Sequence, residues 1–559
     1  MAERRGPSAS LPALALLFLF IGTELTSAQY SLGPLTMTGS VGFSSEAYTA
    51  SGIAARRPPA SARLFANASA SAFGMSYGLQ ANLTTEGSEF RQSMSQIGLD
   101  VSYEWIHVTL GDVRPSLSRF SVEGISLRGA LVELTPGSLL FSAAAGQSQR
   151  AVQPDSTDPY RKPAYDRSLY AVKMGYGSLS EWFVHLIGVY AHDDRSSLPP
   201  GTDVAPQENF NASTSFGSKL LENRLSLEGT VTLSTLSEDT RLPEIDRTTT
   251  PVIFSPFIKE RGGNRTDYAA RINAQYSEKG YGVQTFYERI QPGFASLGLA
   301  TTRSDQESFG IRPHATFLDQ HARVTLDFSQ SRNNLLNNLA STSTRRNFGV
   351  LSMLRISKEM SLNASYRLLT YEINPRNGGS AIPLDQTSHA VTLVPTLSWV
   401  SDRTSHTASL TTSIQTSSVE RGGPLPQSSG TSTVTNSALY TISYPSGLNL
   451  HTTANVLLSD AGPTENTSFG VSAGAGYPFF ERALVAGLVL GVTENRSTTS
   501  AGGSTNATST TQWVLNVNAA YRLWFGDVLR FTMRALSSRA GGGRSFRELQ
   551  ANLELTRQL

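Results

Sequence analysis

The chain has 559 residues, a formal net charge of +2 and no cysteine, and only 16% of its residues are charged. Soluble domains carry about 25% charged residues. The missing cysteines exclude disulfides, thiol catalysis, cysteine-ligated zinc and iron–sulfur clusters. The near-neutral charge, with no basic stripe, argues against a nucleic-acid partner.

The first 28 residues have the pattern of an export signal. Arg4 and Arg5 precede a short apolar run from Leu11 to Ile21, and Thr26-Ser27-Ala28 supplies the small residues typical of a cleavage site. The run is shorter than the ~18 apolar residues that a spanning helix needs, which disfavours a membrane anchor. We therefore predict a cleaved secretory signal peptide over 1–28.

Five runs near the N-terminus fit β-strands, at about 36–47, 60–73, 75–86, 92–102 and 104–112. The runs within 60–112 are rich in Ala, Ser and Gly and alternate less cleanly than later ones. Two interpretations stay open for them: strands of the main wall, or a small plug or cap.

Ten hairpins follow between residues 124 and 539, and 545–557 adds a final strand. The clearest hairpin is 514–539, where Leu515 and Val517 alternate with Asn516 and Asn518. Successive side chains of a strand point to opposite faces, so each run has one apolar and one polar face. This pattern predicts a transmembrane, antiparallel up-and-down β-barrel with about 26 strands, in a range of 20–26. A soluble all-β protein would have shorter strands and an apolar interior.

The connections alternate in length. Short turns such as Pro136-Gly137, Asp402-Arg403 and Gly526-Asp527 predict the periplasmic side. The longer polar stretches predict extracellular loops at 150–166, 194–209, 237–264, 373–386, 417–432 and 496–511. We expect residues 29–559 to form a single outer-membrane barrel.

The polar face of the strands predicts the residues that line the lumen. An Arg or Lys facing lipid at mid-membrane costs ~2–4 kcal/mol, so these side chains should face water. The candidates are Glu228, Arg271, Asn273, Arg367, Asn449, His451, Arg522, Arg530, Arg534 and Glu554. Their mixed signs indicate no strong ion preference.

One stretch combines a Gly-Asp turn, a proline and several arginines: Asp112, Arg114, Arg119 and Arg128. It could fold into the lumen as a constriction whose charges select solutes. Alternatively, it is a loop in which Asp112 and the arginines pair with neighbouring residues. Both interpretations stay open at this point.

No motif for catalysis or cofactor binding stands out. The eight histidines are scattered without HExxH or other ligand spacing, and no Gly-x-Ser-x-Gly elbow occurs. We therefore expect no enzymatic activity, no metal and no cofactor.

Together, the signal peptide, the alternating strands, the asymmetric connections and the amphipathic last strand resemble bacterial outer-membrane β-barrel proteins. Around Gly111-Asp112 and Arg128-Gly129 the chain looks like large barrels of the Bacteroidetes and Chlorobi kind. It does not resemble TonB-dependent receptors, which carry a large plug domain before the barrel. It departs from the class in ending Thr556-Arg557-Gln558-Leu559, where many such proteins end on Phe.

The resemblance implies a Gram-negative outer membrane, contact with its lipid and lipopolysaccharide, and insertion by the barrel-assembly machinery. The first functional hypothesis is a porin-like transport channel whose polar lumen is partly occluded, since so wide a pore would otherwise leak. A loop such as 237–264, or a partner, could fill it. The alternative is a structural, adhesion or assembly/secretion component without transport activity, with an envelope protein partner. A barrel enzyme is the third hypothesis.

Overall fold

The computed structural model describes residues 30–32, 35–85, 94–156, 158, 161–246, 250–301, 303–376, 381–423, 427–501, 504–523, 526–543 and 545–559. The predicted signal peptide, 1–28, lies outside the described residues. Within these ranges, no helix is long and apolar enough to cross a membrane.

The described chain is almost entirely β-structure. The strands are β1 Tyr30–Leu32, β2 Leu35–Ser51, β3 Ala60–Ala72, β4 Met75–Thr84, β5 Gln96–Tyr103, β6 Ile106–Val113, β7 Leu127–Leu134, β8 Leu139–Gln149, β9 Asp166–Gly177, β10 Trp182–Asp194, β11 Glu208–Leu220, β12 Leu225–Ser237, β13 Asn264–Glu278, β14 Tyr281–Ile290, β15 Gln306–Phe317, β16 Ala322–Arg332, β17 Ser341–Arg355, β18 Met360–Pro375, β19 Leu384–Ser401, β20 Thr404–Arg421, β21 Gln427–Ser443, β22 Asn449–Ala461, β23 Thr464–Phe479, β24 Leu484–Ala501, β25 Ser504–Arg522, β26 Val528–Ala540 and β27 Phe546–Gln558. Short 3-10 helices occupy Arg195–Ser197, Val252–Phe254 and Phe480–Arg482.

The sheet closes on itself. From β2 to β27, each strand pairs antiparallel with its neighbours in sequence, and β2 pairs with β27 from Ser40 opposite Gln558 to Ser51 opposite Arg547. The short β1 pairs only with the start of β2, where Tyr30 lies opposite Met37. The wall is therefore a closed, antiparallel up-and-down barrel of 26 strands, as the sequence predicts.

The described residues of 60–112, namely 60–85 and 94–112, form part of this wall. Strands β3, β4, β5 and β6 pair in sequence order, with Leu64 opposite Leu83, Leu79 opposite Leu99 and Leu99 opposite Leu110. Their Ala, Ser and Gly content weakens the apolar alternation without interrupting the hydrogen-bonded ladder. The pairing is that of wall strands and not of a separate plug or cap.

The two faces of the wall differ in chemistry. Tyr268 and Ile272 of β13 are exposed on one face, and Arg271 and Asn273 lie on the other. The same outward face carries exposed apolar side chains on other strands, such as Leu186, which is 59% exposed. An outer face of this kind suits lipid, and the polar inner face suits water.

Aromatic side chains gather on the outer face next to the short turns. The rings of Tyr176 and Trp182 are 5.6 Å apart, and those of Trp399 and His406 are 5.0 Å apart. Amphipathic rings at this position are typical of the interface between membrane and water.

Several glycines lie directly opposite a phenylalanine in the neighbouring strand. A Cβ on Gly217 would lie 2.4 Å from Cε1 of Phe183, and one on Gly310 would lie 2.6 Å from Cε1 of Phe286. In each pair the ring covers the glycine backbone. Such cross-strand pairs compensate for the packing that a glycine in a strand lacks and help to fix the register.

Two predicted loops are largely strand, and strands shorten a third at both ends. Strands β24 and β25 run through most of the predicted loop 496–511, and within the predicted loop 417–432, β20 continues to Arg421 and β21 begins at Gln427. Strands β18 and β19 likewise shorten 373–386. The Ser- and Thr-rich composition suggested loops, but Thr464 and Thr499, and Ser500 and Thr505, face each other across strands with hydroxyl oxygens 3.3 and 3.4 Å apart. β-Branched threonines and cross-strand hydroxyl pairs favour a continued ladder.

Gly129 of β7 lies where the backbone of β8 approaches closely. A Cβ on Gly129 would lie 1.9 Å from the carbonyl oxygen of Ala145 in β8, whereas nothing lies within 4 Å of a Cβ on Gly188. We expect Gly129→Ala to force β7 and β8 apart and to destabilise the barrel by ~1–3 kcal/mol. The measurement is the temperature at which the folded band disappears on unboiled denaturing gels. Gly188→Ala is the matched control, and equal temperatures for the two variants would contradict the steric argument.

Candidate functional site: the lumen and its inner segments

The connection between β6 and β7, residues 114–126, folds against the inner face of the wall; we call it the first inner segment. Its Leu117 and Val122 are buried in one apolar cluster with Leu169 of β9 and Val189 of β10. These wall residues are on the same face as the polar lumen residues. The segment therefore lies inside the barrel and covers the wall there with apolar side chains.

Residues 291–301, in the connection between β14 and β15, form a second inner segment. Glu123 pairs with Leu299 as a parallel bridge, and the backbone N–H of Glu123 donates to the carbonyl of Gly298 at 3.2 Å. The rings of Phe120 and Phe294 meet edge to face at 6.1 Å. The two segments support each other although they are far apart in sequence.

A buried polar network fixes both segments to β11. Asn209 and Asn211 are fully buried. The side-chain amide of Asn211 donates to Ser296 Oγ at 2.8 Å, and Ser296 Oγ donates to the carbonyl of Ser121 at 2.8 Å. Asn209 Oδ1 accepts from the backbone N–H of Leu297 at 3.1 Å. Hydrogen bonds of this kind in a site shielded from water are strong, so the inner segments are built into the wall.

Glu288 of β14 joins the first inner segment to the wall. It is buried, and its Oε2 accepts from Arg119 Nε at 2.9 Å and from Arg271 Nη1 at 3.0 Å. Arg271 also donates to Asn273 Oδ1 at 2.8 Å and lies over the Phe286 ring at 4.3 Å. One carboxylate thus holds an arginine from the loop and one from the wall.

Below this cluster, the inner face of β12–β16 forms a recess of about 470 Å³. Glu228, Arg271, Asn273, Arg312 and Asp327 lie around it. Arg312 and Asp327 approach to 3.8 Å. Glu228 is exposed to the recess, directly across from Asn273. The recess offers both signs of charge, amides and hydroxyls to a solute.

The strand register places all the predicted lumen residues on the face of Arg271. The recess brings together Glu228, Arg271 and Asn273, and Arg530 and Glu554 form an ion pair of 3.2 Å. The others lie on that face of further strands: Arg367 on β18, Asn449 and His451 on β22, Arg522 on β25 and Arg534 on β26. Their part in solute passage remains a prediction.

The four residues grouped as a possible constriction lie apart. Asp112 pairs with Arg128 across β6 and β7 at 3.3 Å, on the face opposite to the buried Leu127 and hence outside the lumen. Arg114 donates to Gln96 of the neighbouring strand at 3.0 Å. Of the four, Arg119 lies on the lumen side of the wall, where it contacts Glu288. Asp112 and Arg128 therefore match the interpretation in which these charged residues pair with neighbouring residues. Arg119 matches the interpretation in which they point into the lumen.

Phe254 and Ile258 of the loop 237–264 lie outside the lumen, which the sequence suggested that this loop could fill. Its residues Phe254 and Ile258 pack against Phe210, whose neighbours Asn209 and Asn211 point inward. Alternation along β11 therefore places Phe210, and the loop on it, on the outer face. A hydrogen bond from Lys259 holds the pKa of Glu244 in this loop below its usual value, so this carboxylate stays ionised to a lower pH than a free glutamate.

Sequence reasoning missed Glu288, Asn209, Asn211, Ser121 and Ser296. The polar alternation Asn209, Asn211, Ser213 did signal an inner face. The contacts of Asn211 with Ser296 and of Ser296 with Ser121 join residues 85 and 175 positions apart in the chain, so no local spacing could pair them. Glu288 and Arg119 are separated by 169 positions.

No protein-family model matches the chain, and no curated protein matches it. Among solved structures, it is similar to the E. coli P pilus tip assembly intermediate PapC-PapD-PapK-PapG, with 10% identity and a TM-score of 0.41, over 95% of this chain. This chain spans 62% of the length of that one. It is also similar to Acinetobacter baumannii OccAB4, with 10% identity and a TM-score of 0.27, over 72% of this chain and 100% of that chain. It is similar as well to the P pilus usher (PapC) translocation pore, with 12% identity and a TM-score of 0.28, over 94% of this chain and 100% of that chain. The assignment as a barrel rests on the strand pairing itself.

We expect Glu288→Gln to loosen the first inner segment, because the amide cannot neutralise Arg119 and Arg271. Hydrogen exchange of peptides within 114–126, measured by mass spectrometry on the folded barrel, should become faster. Glu307→Gln is the matched control, since Glu307 also accepts from two arginines, Arg289 at 3.3 Å and Arg332 at 2.7 Å, but on the outer face. Unchanged exchange in Glu288→Gln would show that apolar packing alone holds the segment.

Proposed function

We propose that the protein is a channel of the bacterial outer membrane for polar solutes, with a lumen that its inner segments occlude on one side. The observation that carries the proposal is the asymmetry of the inner face. Along β7–β14 the described residues cover the wall with the two inner segments. Along β15–β27 and β2–β6 the polar inner face of the described wall is open to the lumen.

Placement in the outer membrane rests on the outer face. Apolar side chains cover it, and aromatic rings cluster beside the short turns. This arrangement matches the apolar band and aromatic girdle of bacterial barrels, with short turns on the periplasmic side. Contacts with lipopolysaccharide and with the assembly machinery, and the signal peptide, follow as part of the same proposal.

The width of the pore limits the kind of substrate. Neighbouring strands about 4.8 Å apart, tilted by about 40°, give a 26-strand wall a diameter of about 50 Å. Barrels of 16–18 strands already hold an aqueous channel. The inner segments narrow only one side, so the remaining passage suits a large polar solute or a polymer, or requires a partner that closes it.

A second candidate function is a structural, adhesion or assembly/secretion role. The observation that favours it is the length of β19, β20, β24 and β25, with 18 or 19 residues each. These strands project beyond the membrane as a rigid, hydroxyl-rich surface that an envelope partner could contact. An enzymatic activity is not part of either proposal.

Conductance across planar bilayers tests the channel and its occlusion. We expect discrete current steps from the purified barrel, and larger steps when residues 117–124 are replaced by a short Gly-Ser link, because this segment occupies part of the lumen. Shortening the outer loop at 252–257 is the control and should leave the steps unchanged. Silent bilayers would contradict the channel and favour the second candidate, and equal steps would contradict the occlusion.

Charge reversal tests the recess as part of the path. We expect Glu228→Lys to shift the reversal potential in a salt gradient toward anions, because Glu228 is exposed to the lumen. The shift should be modest in so wide a pore, since salt screens charges over about 10 Å. Glu494→Lys is the control, since Glu494 is exposed on the outer face opposite Phe469. Equal shifts in the two variants would place the current path elsewhere.

A further inference from the structure

The loop between β12 and β13 carries a docked segment, defined here as residues 250–261. Phe254 is fully buried and Ile258 is 2% exposed. Phe210 of β11 lies between two rings of the segment: it stacks on Phe257 at 4.3 Å and meets Phe254 edge to face at 4.8 Å. The segment is therefore packed onto the outer face of the barrel as a fixed element.

Large apolar side chains of the docked segment remain uncovered. Val252 is 81% exposed, Ile253 68% and Phe257 50%. They lie in and just after the 3-10 turn Val252–Phe254, on the side of the barrel that points away from the lumen. A soluble loop would seldom present three such side chains together.

The height of the segment on the wall indicates what covers these side chains. Phe210 lies opposite Tyr190, which lies opposite Tyr170. Tyr190 is eight residues along β10 from Trp182, beside the periplasmic turn. At about 3.4 Å per residue and about 40° of tilt, this is about 20 Å, close to the upper edge of an apolar band about 25 Å tall.

Charged residues mark the water side of the same segment. Lys259 Nζ contacts Glu244 at 2.6 Å, and Arg261 contacts Glu208 at 3.2 Å. Tyr190 also donates to Glu208 at 2.6 Å. Along the docked segment, exposed apolar residues are followed by ion-paired residues. The outer face of the barrel wall changes from apolar to ion-paired at the same height.

We propose that the docked segment lies in the outer leaflet, where Val252, Ile253 and Phe257 contact lipid acyl chains and extend the apolar belt of the barrel. The occupant of this surface is lipid because the surface is continuous with the lipid-facing wall through Phe210, Tyr190 and Tyr170. The inference depends on insertion of the barrel in a membrane, which is part of the proposed function, but not on channel activity.

The absence of native cysteine makes a direct test possible. Ile253→Cys, Leu186→Cys and Asp203→Cys each receive one environment-sensitive fluorophore, and each barrel is reconstituted in phosphatidylcholine vesicles with or without doxyl-labelled acyl chains. Leu186 lies on the lipid-facing wall, and Asp203 is exposed on the extracellular loop 195–207. Heat-shifted migration on gels confirms that each variant is folded, and Phe257→Cys replaces Ile253→Cys if that variant fails.

We expect doxyl chains to quench the label at Ile253 nearly as strongly as the label at Leu186, and severalfold more than the label at Asp203. Quenching at Leu186 without quenching at Ile253 would overturn the inference and leave the membrane barrel intact. No quenching at Leu186 would overturn both. Formation of a disulfide-linked dimer by unlabelled Ile253→Cys in dilute vesicles would show that a second copy covers the surface, and would also overturn the inference.

Discussion

The structure depends on the hydrogen bonds between the first and last wall strands. In hydrocarbon, each unpaired backbone amide costs several kcal/mol, so a sheet can cross a membrane only if it has no free edge. Strand β2 meets β27 over twelve residues of continuous register, from Ser40 opposite Gln558 to Ser51 opposite Arg547. This seam joins the two ends of the described chain, and every other pairing between wall strands is between neighbours in sequence. The seam turns a long meander into a wall with an inside and an outside.

Closure of the barrel also makes one of the two alternating faces of each strand the inner face and the other the outer face. Apart from one irregularity at Gln147–Gln149, near the end of β8, the register continues from strand to strand. A residue's side of the wall is therefore fixed once it is fixed for one strand. The buried Asn211 and the lumen residue Arg271 therefore share a face through Thr232, Thr230 and their neighbours. Glycine opposite phenylalanine, as in Gly217 and Phe183, allows the sheet to curve while the ring keeps the strands in register.

Much of this architecture can be predicted from sequence because its signal is local. The strand number and the face of residues such as Arg271 and Glu554 follow from alternation alone. The conformation of the connections between strands cannot be predicted from alternation. Thr464, Thr499 and Thr505 have the composition of loops yet extend strands, since hydroxyl pairs across strands replace apolar packing. The contact of Arg119 with Glu288, and the docking of Phe254 on Phe210 outside the wall, depend on residues that only the closed barrel brings together.

The connections on the longer-loop side divide the barrel into two unlike halves. Around β7–β14 the loops are long, and they fold both inward, as residues 114–126 and 291–301 do, and outward, as residues 250–261 do. Around β19–β25 the chain instead extends its strands, and the 18 residues of β24 rise about 45 Å against an apolar band of about 25 Å. One half is thus low and lined with packed segments, and the other is tall and open on its polar inner face. A particle that enters this lumen meets a fixed, partly apolar surface on one side and a high polar wall on the other. In the proposed channel, that asymmetry gives a passing solute a preferred side for contact, which a symmetric cylinder of the same width would lack.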